Sequence, residues 1–323
     1  HRVLVYGAGR RAASIEEFKR RRGRQRFQVV GFVATQGDIP AIDKNRLVYA
    51  HDGLDAFVRH HNVHEIVVAM DDRRQGFPMA DFIQCRVRGV QITELITFLE
   101  RESGRVQLDV IHPSWLVFSE GFRSSLIRGA TSRSTDVVAS LVLLLFLWPL
   151  MLAAAVAIKL FEGPRAPVFY RQVRVGQHGK AFVLYKFRTM RQDAEADGKA
   201  RWACSDDDRI TPVGAILRRT RLDELPQLWN VLIGEMSLVG PRPERPEFVN
   251  QLSTSVPYYA ERHCVKPGVT GWAQLCYPYG ASEKDALEKL KFDLYYVKNH
   301  SLLFDLAIIL QTIEVVLWRK GSR

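Results

Sequence analysis

At 323 residues the chain is too long for one small core, and its length suits two domains. A hydrophobic content of 47% with 25% charged residues excludes a disordered chain. Its 46 basic side chains against 35 acidic ones, a net charge of +11, call for anionic company: nucleic acid, lipid headgroups or phosphorylated substrates.

The first third alternates short apolar runs with helical patterns. "RVLVYGAG", "FQVVGFVA" and "EIVVAM" read as buried strands. "RRAASIEEFKRRR", "GLDAFVRHHNV" and "ADFIQCRVRG" read as helices, and "VQITEL" and "LDVIHPSWLVF" follow. That alternation predicts an α/β domain with a parallel, Rossmann-like sheet over residues 1–112. Gly7 to Ala12, "GAGRRA", fits the glycine-rich dinucleotide fingerprint between a strand and a helix. The acidic residue expected at the end of the second strand is missing, and Asp38 comes late. The lack of a Tyr-x-x-x-Lys pair in the chain argues against short-chain dehydrogenase chemistry, and both a nucleotide site and a regulatory or oligomerisation scaffold stay open. "KRRRGRQR", Lys19 to Arg26, reads as a solvated helix end or a lipid or polyphosphate contact. It lacks the interleaved aromatics of a nucleic-acid surface, so no nucleic acid partner is expected. His60, His61 and His64 have metal-like spacing but suit a surface helix end.

Residues 113–135 read as a connector at a membrane surface, with aromatic anchors and basic residues. Val137 to Ile158 then runs 22 residues without a charge. As a helix it would be about 33 Å long, enough to cross a hydrocarbon core of roughly 30 Å. Pro149 stands near its middle and favours a kink. Basic residues flank both ends, Arg128 and Arg133 before, Lys159, Arg165, Arg171 and Arg174 after, so charge asymmetry sets no orientation. A tilted, kinked span and a helix that enters, bends and returns both fit.

Beyond it, "VFYRQVRVG" and "FVLYKFRTM" read as strands, and Arg191–Ala200, Asp223–Ile233, Pro246–Leu252 and Glu283–Lys298 as helices. The final "SLLFDLAIILQTIEVVLW" is interrupted by Asp305, Gln311 and Glu314. It reads as an interfacial amphipathic helix with Trp318, Arg319 and Lys320 as an edge anchor. The four cysteines, Cys85, Cys204, Cys264 and Cys276, show no metal spacing and no paired framework, which suits reduced thiols.

The chemistry concentrates in "RTRLDELPQLWNVL". Pro226 is tolerated only in a first turn, so a helix is expected to begin at Leu222 or Asp223, with Asp223 near its N-terminus. An N-cap aspartate would explain "LDEL" alone. Around it, however, stand Arg218, Arg219 and Arg221, Arg242 between two prolines, and Lys186 and Arg188 from "LYKFRTM". Two carboxylates among phosphate-binding cations suit phosphoryl transfer, one attacking phosphorus and the other holding a divalent metal. Hard oxygen ligands favour Mg²⁺.

"VFYRQVRVGQHGKAFVLYKFRTM", "TPVGAILRRTRLDELPQLWNVLIGEMSLVGPRPE" and "RHCVKPGVTGWAQL" together resemble the bacterial sugar transferases of the monotopic polyprenyl-phosphate glycosyl-1-phosphate transferase type. The resemblance covers residues 130–323, and the tail is similar to the exopolysaccharide subgroup. It implies a mainly α catalytic domain over 136–323, with a re-entrant membrane helix at 137–158 broken at Trp148-Pro149. The residue before the proline departs from the family's pair. It implies transfer of a sugar-1-phosphate from a UDP-sugar to undecaprenyl phosphate on the cytoplasmic face of the inner membrane, with release of UMP. Asp223 would be the nucleophile, forming a phosphosugar-aspartyl intermediate, and Glu224 the Mg²⁺ ligand. Arg242 and Pro243 would contact the nucleotide, with Lys186, Arg188 and Arg221 lining the same site and His263 in an active-site or structural role. Several membrane helices would precede the first domain, and a homo-oligomer stays open. The rival expectation is a catalytically inactive, nucleotide-sensing membrane scaffold.

Overall fold

The computed structural model describes residues 1–21, 27–35, 38–39, 41–49, 53–72, 77–108, 126–191, 193–194, 208–277, 280 and 282–318. The chain divides into two compact units, His1–Gln107 and Leu108–Arg323. Most of the 113–135 connector, most of "KRRRGRQR" and of the Arg191–Ala200 helix, and Arg319 and Lys320 lie outside the described residues.

In the first unit five strands, β1 (Arg2–Tyr6), β2 (Gln28–Val33), β3 (Leu47–Val48), β4 (Glu65–Val68) and β5 (Gln91–Glu94), form one parallel sheet in the order β3-β2-β1-β4-β5. That is the order of a Rossmann half-sheet with its neighbours. Alternation along β1 builds two cores. Val3 and Val5 pack with Ala12, Ile15 and Phe98 from helices α1 (Arg10–Arg21) and α4 (Leu95–Ser103). Leu4 packs on the other face with Leu54, Val58, Phe82 and Cys85 from α2 (Leu54–His60) and α3 (Met79–Val87). His64 accepts a bond from the Arg2 amide and His61 donates to the Phe57 carbonyl, which are structural roles.

The second unit is mostly helical. Its long helix, Leu126–Glu162, is 37 residues and extends past both ends of the charge-free run, with Pro149 inside it. It is long and apolar enough to cross a membrane, and only 11% of its most apolar window is buried in the protein. Leu145, Phe146, Trp148 and Leu152 are all exposed, a surface water does not tolerate. The helix is nonetheless tied down at both ends. Near its start Arg133 donates to the carbonyls of Val231 and Leu232, and Asp136 accepts from Ser237 Oγ at 3.0 Å and the Leu238 amide at 2.9 Å. Near its finish Ala154 and Ile158 pack on Phe187, Val213 and Leu217, and Glu162 accepts from Thr211 Oγ1 at 2.7 Å.

An antiparallel hairpin, β6 (Phe169–Val175) with β7 (Ala181–Phe187), follows, and two three-residue strands, β8 (Ser237–Val239) and β9 (Gly268–Thr270), pair in parallel. Gly240 and Gly268 allow that pairing, because a Cβ on Gly268 would stand 2.0 Å from the Gly240 nitrogen. The C-terminal helix, Leu302–Trp318, exposes Leu303, Leu306, Leu310 and Ile313 and buries Ile308. Asp305 faces inward, where it accepts the Tyr296 hydroxyl at 2.7 Å. This aspartate therefore does not interrupt the helix's exposed apolar stripe, whereas Gln311 and Glu314 are exposed.

Replacing Asp136 with Ala leaves a buried hydroxyl and a buried amide without an acceptor. The expected loss is about 1–3 kcal/mol per unsatisfied group, read as a lower unfolding midpoint of the protein in detergent.

Candidate active site

Three segments far apart in sequence deliver the central cluster. Residues 222–224 form a single 3-10 turn, preceded by Arg221 in the left-handed region at φ 60°. The following helix starts only at Gln227, with Pro226 just ahead of it. The carboxylate pair thus stands before the helix, whereas the proline pattern places it in the helix's first turn. A 3-10 turn is the tighter geometry that fits three residues between Arg221 and Leu225.

Both carboxylates are buried, Asp223 at 7% and Glu224 at 9% exposure. Lys186, the penultimate residue of β7, reaches Glu224 Oε1 with Nζ at 2.7 Å. Arg242, from the Gly-Pro-Arg-Pro turn after β8, reaches the same oxygen with Nη2 at 2.9 Å and donates from Nη1 to Gln274 at 3.0 Å. Burial drives the Glu224 pKa upward, but the charges of Lys186 and Arg242 outweigh it and hold this carboxyl well below the usual range. Asp223 differs: burial pushes its pKa up, the neighbouring Glu224 adds to the rise, and Lys186 and Arg242 only partly offset it. Its Oδ1 is buried with no hydrogen-bond partner. Burial lowers Lys186, with Glu224 pulling the other way, while Glu224 raises Arg242.

The supporting contacts explain how such groups stay in place. The prolines flanking Arg242 supply no N–H, so the turn cannot knit itself together by its own amides. Two guanidinium groups take its carbonyls instead: Arg262 binds the Arg242 carbonyl at 3.0 Å and Arg174 binds that of Pro243 at 3.0 Å. Arg262 is itself buried on Asp293, 2.8 Å away, and on the Tyr259 hydroxyl. Asn230 is fully buried in the helix that follows the dyad. Its Oδ1 accepts the Tyr185 amide at 3.2 Å and its Nδ2 donates to the Val183 carbonyl at 2.7 Å. It thereby serves as an extra strand partner for β7 and fixes the residue preceding Lys186.

Of the residues singled out from sequence, Asp223, Glu224, Lys186 and Arg242 come together. Pro243 is buried in the same turn, and Arg221 is exposed beside the pair, lowering Glu224 through its charge. Arg188 donates to the Pro167 carbonyl at 3.0 Å, and no bond from it to the dyad is seen among the described residues. His263 lies in the 3-10 segment Tyr259–Cys264, edge-on to Tyr259 at 6.3 Å, with Nε2 buried and unpartnered. Burial, together with the charge of Arg262, pushes it down to about 4, so it is neutral at pH 7. Arg174, Asn230, Arg262, Gln274 and Asp293 carry no local pattern by which sequence reading could assign them here. Among the described residues no group of three or more His, Cys, Asp or Glu is placed to hold a metal. Mg²⁺ needs only one or two carboxylates when substrate phosphates complete its shell. The orphaned Asp223 Oδ1 and the second oxygen of Glu224 fit that requirement, since both cations bind Oε1.

Replacing Lys186 with Met removes the nearest positive charge from Glu224, leaving burial less opposed, so its pKa rises. In the native protein the depressed value contributes stability that is complete above the unfolded pKa of about 4.3 and is lost as pH falls through the folded one. The variant should show the acid limb of its kcat/KM profile displaced upward by about one unit or more, with a smaller stability gain between acid and neutral pH.

The sequence model of the bacterial sugar transferases matches residues 127–319. A UDP-N-acetylgalactosamine-undecaprenyl-phosphate N-acetylgalactosaminephosphotransferase of Aeromonas hydrophila is 41% identical over 240 residues, 74% of this chain and 55% of that protein. A UDP-glucose:undecaprenyl-phosphate glucose-1-phosphate transferase of Escherichia coli (strain K12) is 43% identical over 185 residues, 56% of this chain and 39% of that protein. The exopolysaccharide production protein PSS of Rhizobium leguminosarum bv. phaseoli is 43% identical over 196 residues, 58% of this chain and 95% of its own length. This chain therefore spans only part of the length of the first two. The matched stretch holds the long apolar helix, the hairpin lysine, the carboxylate pair and the proline-flanked arginine together, and the chain belongs to the bacterial sugar transferase family.

Proposed function

We propose that the chain transfers a sugar-1-phosphate from a UDP-sugar to undecaprenyl phosphate, in the manner its relatives' names describe, as the first membrane step of exopolysaccharide or related glycan assembly. The observation that carries the reading is the unequal pair: Glu224 is engaged by two cations through one oxygen, while the neighbouring Asp223 oxygen is buried and unpartnered.

Asp223 is the nucleophile. Its carboxylate forms a bond to the phosphorus that bears the sugar, the bond from that phosphorus to the UMP oxygen breaks, and UMP leaves with the electron pair. An oxygen of undecaprenyl phosphate then attacks the same phosphorus and releases Asp223, giving the lipid diphosphate sugar. Lys186 and Arg242 hold Glu224 ionised and set positive charge beside phosphate oxygens during both displacements. Arg242 keeps 39% of its side chain exposed, enough to meet a ligand from solvent. Glu224, with Asp223, would hold Mg²⁺, which when bound supplies further charge against the diphosphate. Arg188 and His263 are left as outer residues of the site.

The long helix is read as re-entrant, with both flanks on the cytoplasmic face of the inner membrane. As one straight rod, 37 residues would run about 55 Å, well past a hydrocarbon core of about 30 Å. Arg133 and Asp136 at one end and Ile158 and Glu162 at the other dock on the same folded unit, which supports a shared side. Single cysteines placed at Ser134 and Arg165 in a cysteine-free background should both react with an impermeant maleimide in inside-out vesicles and neither in right-side-out ones. Labelling from opposite sides would establish a crossing helix.

The decisive assay is UMP release by protein in nanodiscs given undecaprenyl phosphate, Mg²⁺ and a panel of UDP-sugars. One sugar should support release, and Asp223→Asn should lower it about a thousandfold or more. Silence across the panel from folded protein would remove the UDP-sugar reading and leave another nucleotide donor or the inactive scaffold.

A further inference from the structure

The glycine loop of the first unit has the shape of a dinucleotide site. In such sites the amides of the loop and of the following helix's first turn point at a pyrophosphate. Here those amides already have an anion. The Arg10 amide donates to Asp71 Oδ2 at 3.0 Å and the Arg11 amide to Asp71 Oδ1 at 2.9 Å. The Ala8 amide donates to Asp38 Oδ2 at 2.8 Å, and Asp38 also takes the amides of Thr35 at 3.2 Å and of Asp71 itself at 3.1 Å. Two carboxylates thus fill the cradle, one braced by the other.

Gly9 fits the same account. A Cβ there would stand 2.0 Å from Asp71 Oδ2, so the glycine makes room for the protein's own carboxylate. Asp38, near the position where a ribose-binding acid would be sought, is turned back onto the loop. The adjoining cavity of about 320 Å³, at the ends of β1, β2 and β3, is lined by Tyr6, Val33, Val48, Tyr49, Leu54 and Asp81 among others. Among the described residues its lining includes no Lys or Arg. A phosphate reaching the loop would meet the carboxylates of Asp71 and Asp38 and find the amides of Ala8, Arg10 and Arg11 taken.

We propose that the anion site of this Rossmann-like unit is filled from within by Asp71, braced by Asp38, so that the unit is closed to nucleotide phosphates and its adjoining cavity accepts only phosphate-free molecules. The inference is independent of the transferase reading, which concerns the other unit. It removes dinucleotide sensing through the glycine loop from the functions open to the chain.

The test is hydrogen exchange of the Gly7–Ala13 peptide in the full chain, held in nanodiscs. ADP, NAD⁺ and inorganic pyrophosphate serve as probes, and UDP compounds are avoided because the other unit would bind them. Native protein should exchange slowly there and be unaffected by any probe. Asp71→Ser should exchange about tenfold faster or more, and pyrophosphate should slow it again. Asp71→Asn, which keeps the shape and loses the charge, covers the case in which Asp71→Ser unfolds the sheet, seen as fast exchange in β1 and β4. It should show the same pyrophosphate response at smaller amplitude. Protection of the native loop by ADP or NAD⁺, or pyrophosphate protecting neither variant, would overturn the proposal.

Discussion

Two adjacent carboxylates cannot both remain ionised in a site shielded from water unless fixed positive charge compensates them. Lys186 and Arg242 supply that charge, and both direct it at a single oxygen of Glu224. The result is an asymmetric pair in which one acid is neutralised by bonds and the other by proximity only. Much of the surrounding architecture serves to bring those cations from a hairpin and a proline turn to a 3-10 turn. Asn230 joins the hairpin to the helix behind the dyad, while Arg262 and Arg174 clamp the turn's carbonyls. The Arg262–Asp293 pair is buried deeply enough that neither partner can be lost alone without stranding a charge.

Sequence periodicity reached the elements whose cause is local. Alternating runs identify the parallel sheet, and the β6–β7 hairpin follows from "VFYRQVRVG" and "FVLYKFRTM". The charge-free run identifies the membrane-type helix, but not its full extent, because the turns before Val137 are mostly polar and their Arg133 and Asp136 find their partners about a hundred positions further along. The three-residue strands β8 and β9 are too short for any period, and they pair because glycines let two backbones touch. In the site, residue types that carry chemistry on their face could be found: carboxylates, a lysine and a proline-flanked arginine. Asn230 and Gln274 could not, since an amide reveals its purpose only through partners dozens of positions away.

The glycine loop shows the same limit from the other side. A glycine pattern records the space a backbone needs and says nothing of what occupies that space. Gly9 faces Asp71, which is sixty-two positions further along the chain and belongs to no local motif. A fingerprint can therefore be correct about the shape of a loop while the usual ligand is replaced by a side chain.

Arg133 grips the last carbonyls of the Gln227–Ile233 helix, and Pro226 at the other end of that helix adjoins the turn of Asp223 and Glu224. The long apolar helix and the short helix behind the carboxylate pair are thus joined by a charged pin. Seven residues of helix, about 10 Å, are all that separate the pin from the proline. The long apolar helix and the turn of Asp223 and Glu224 are therefore linked through this one short helix, gripped by Arg133 at its end and entered through Pro226 at its start.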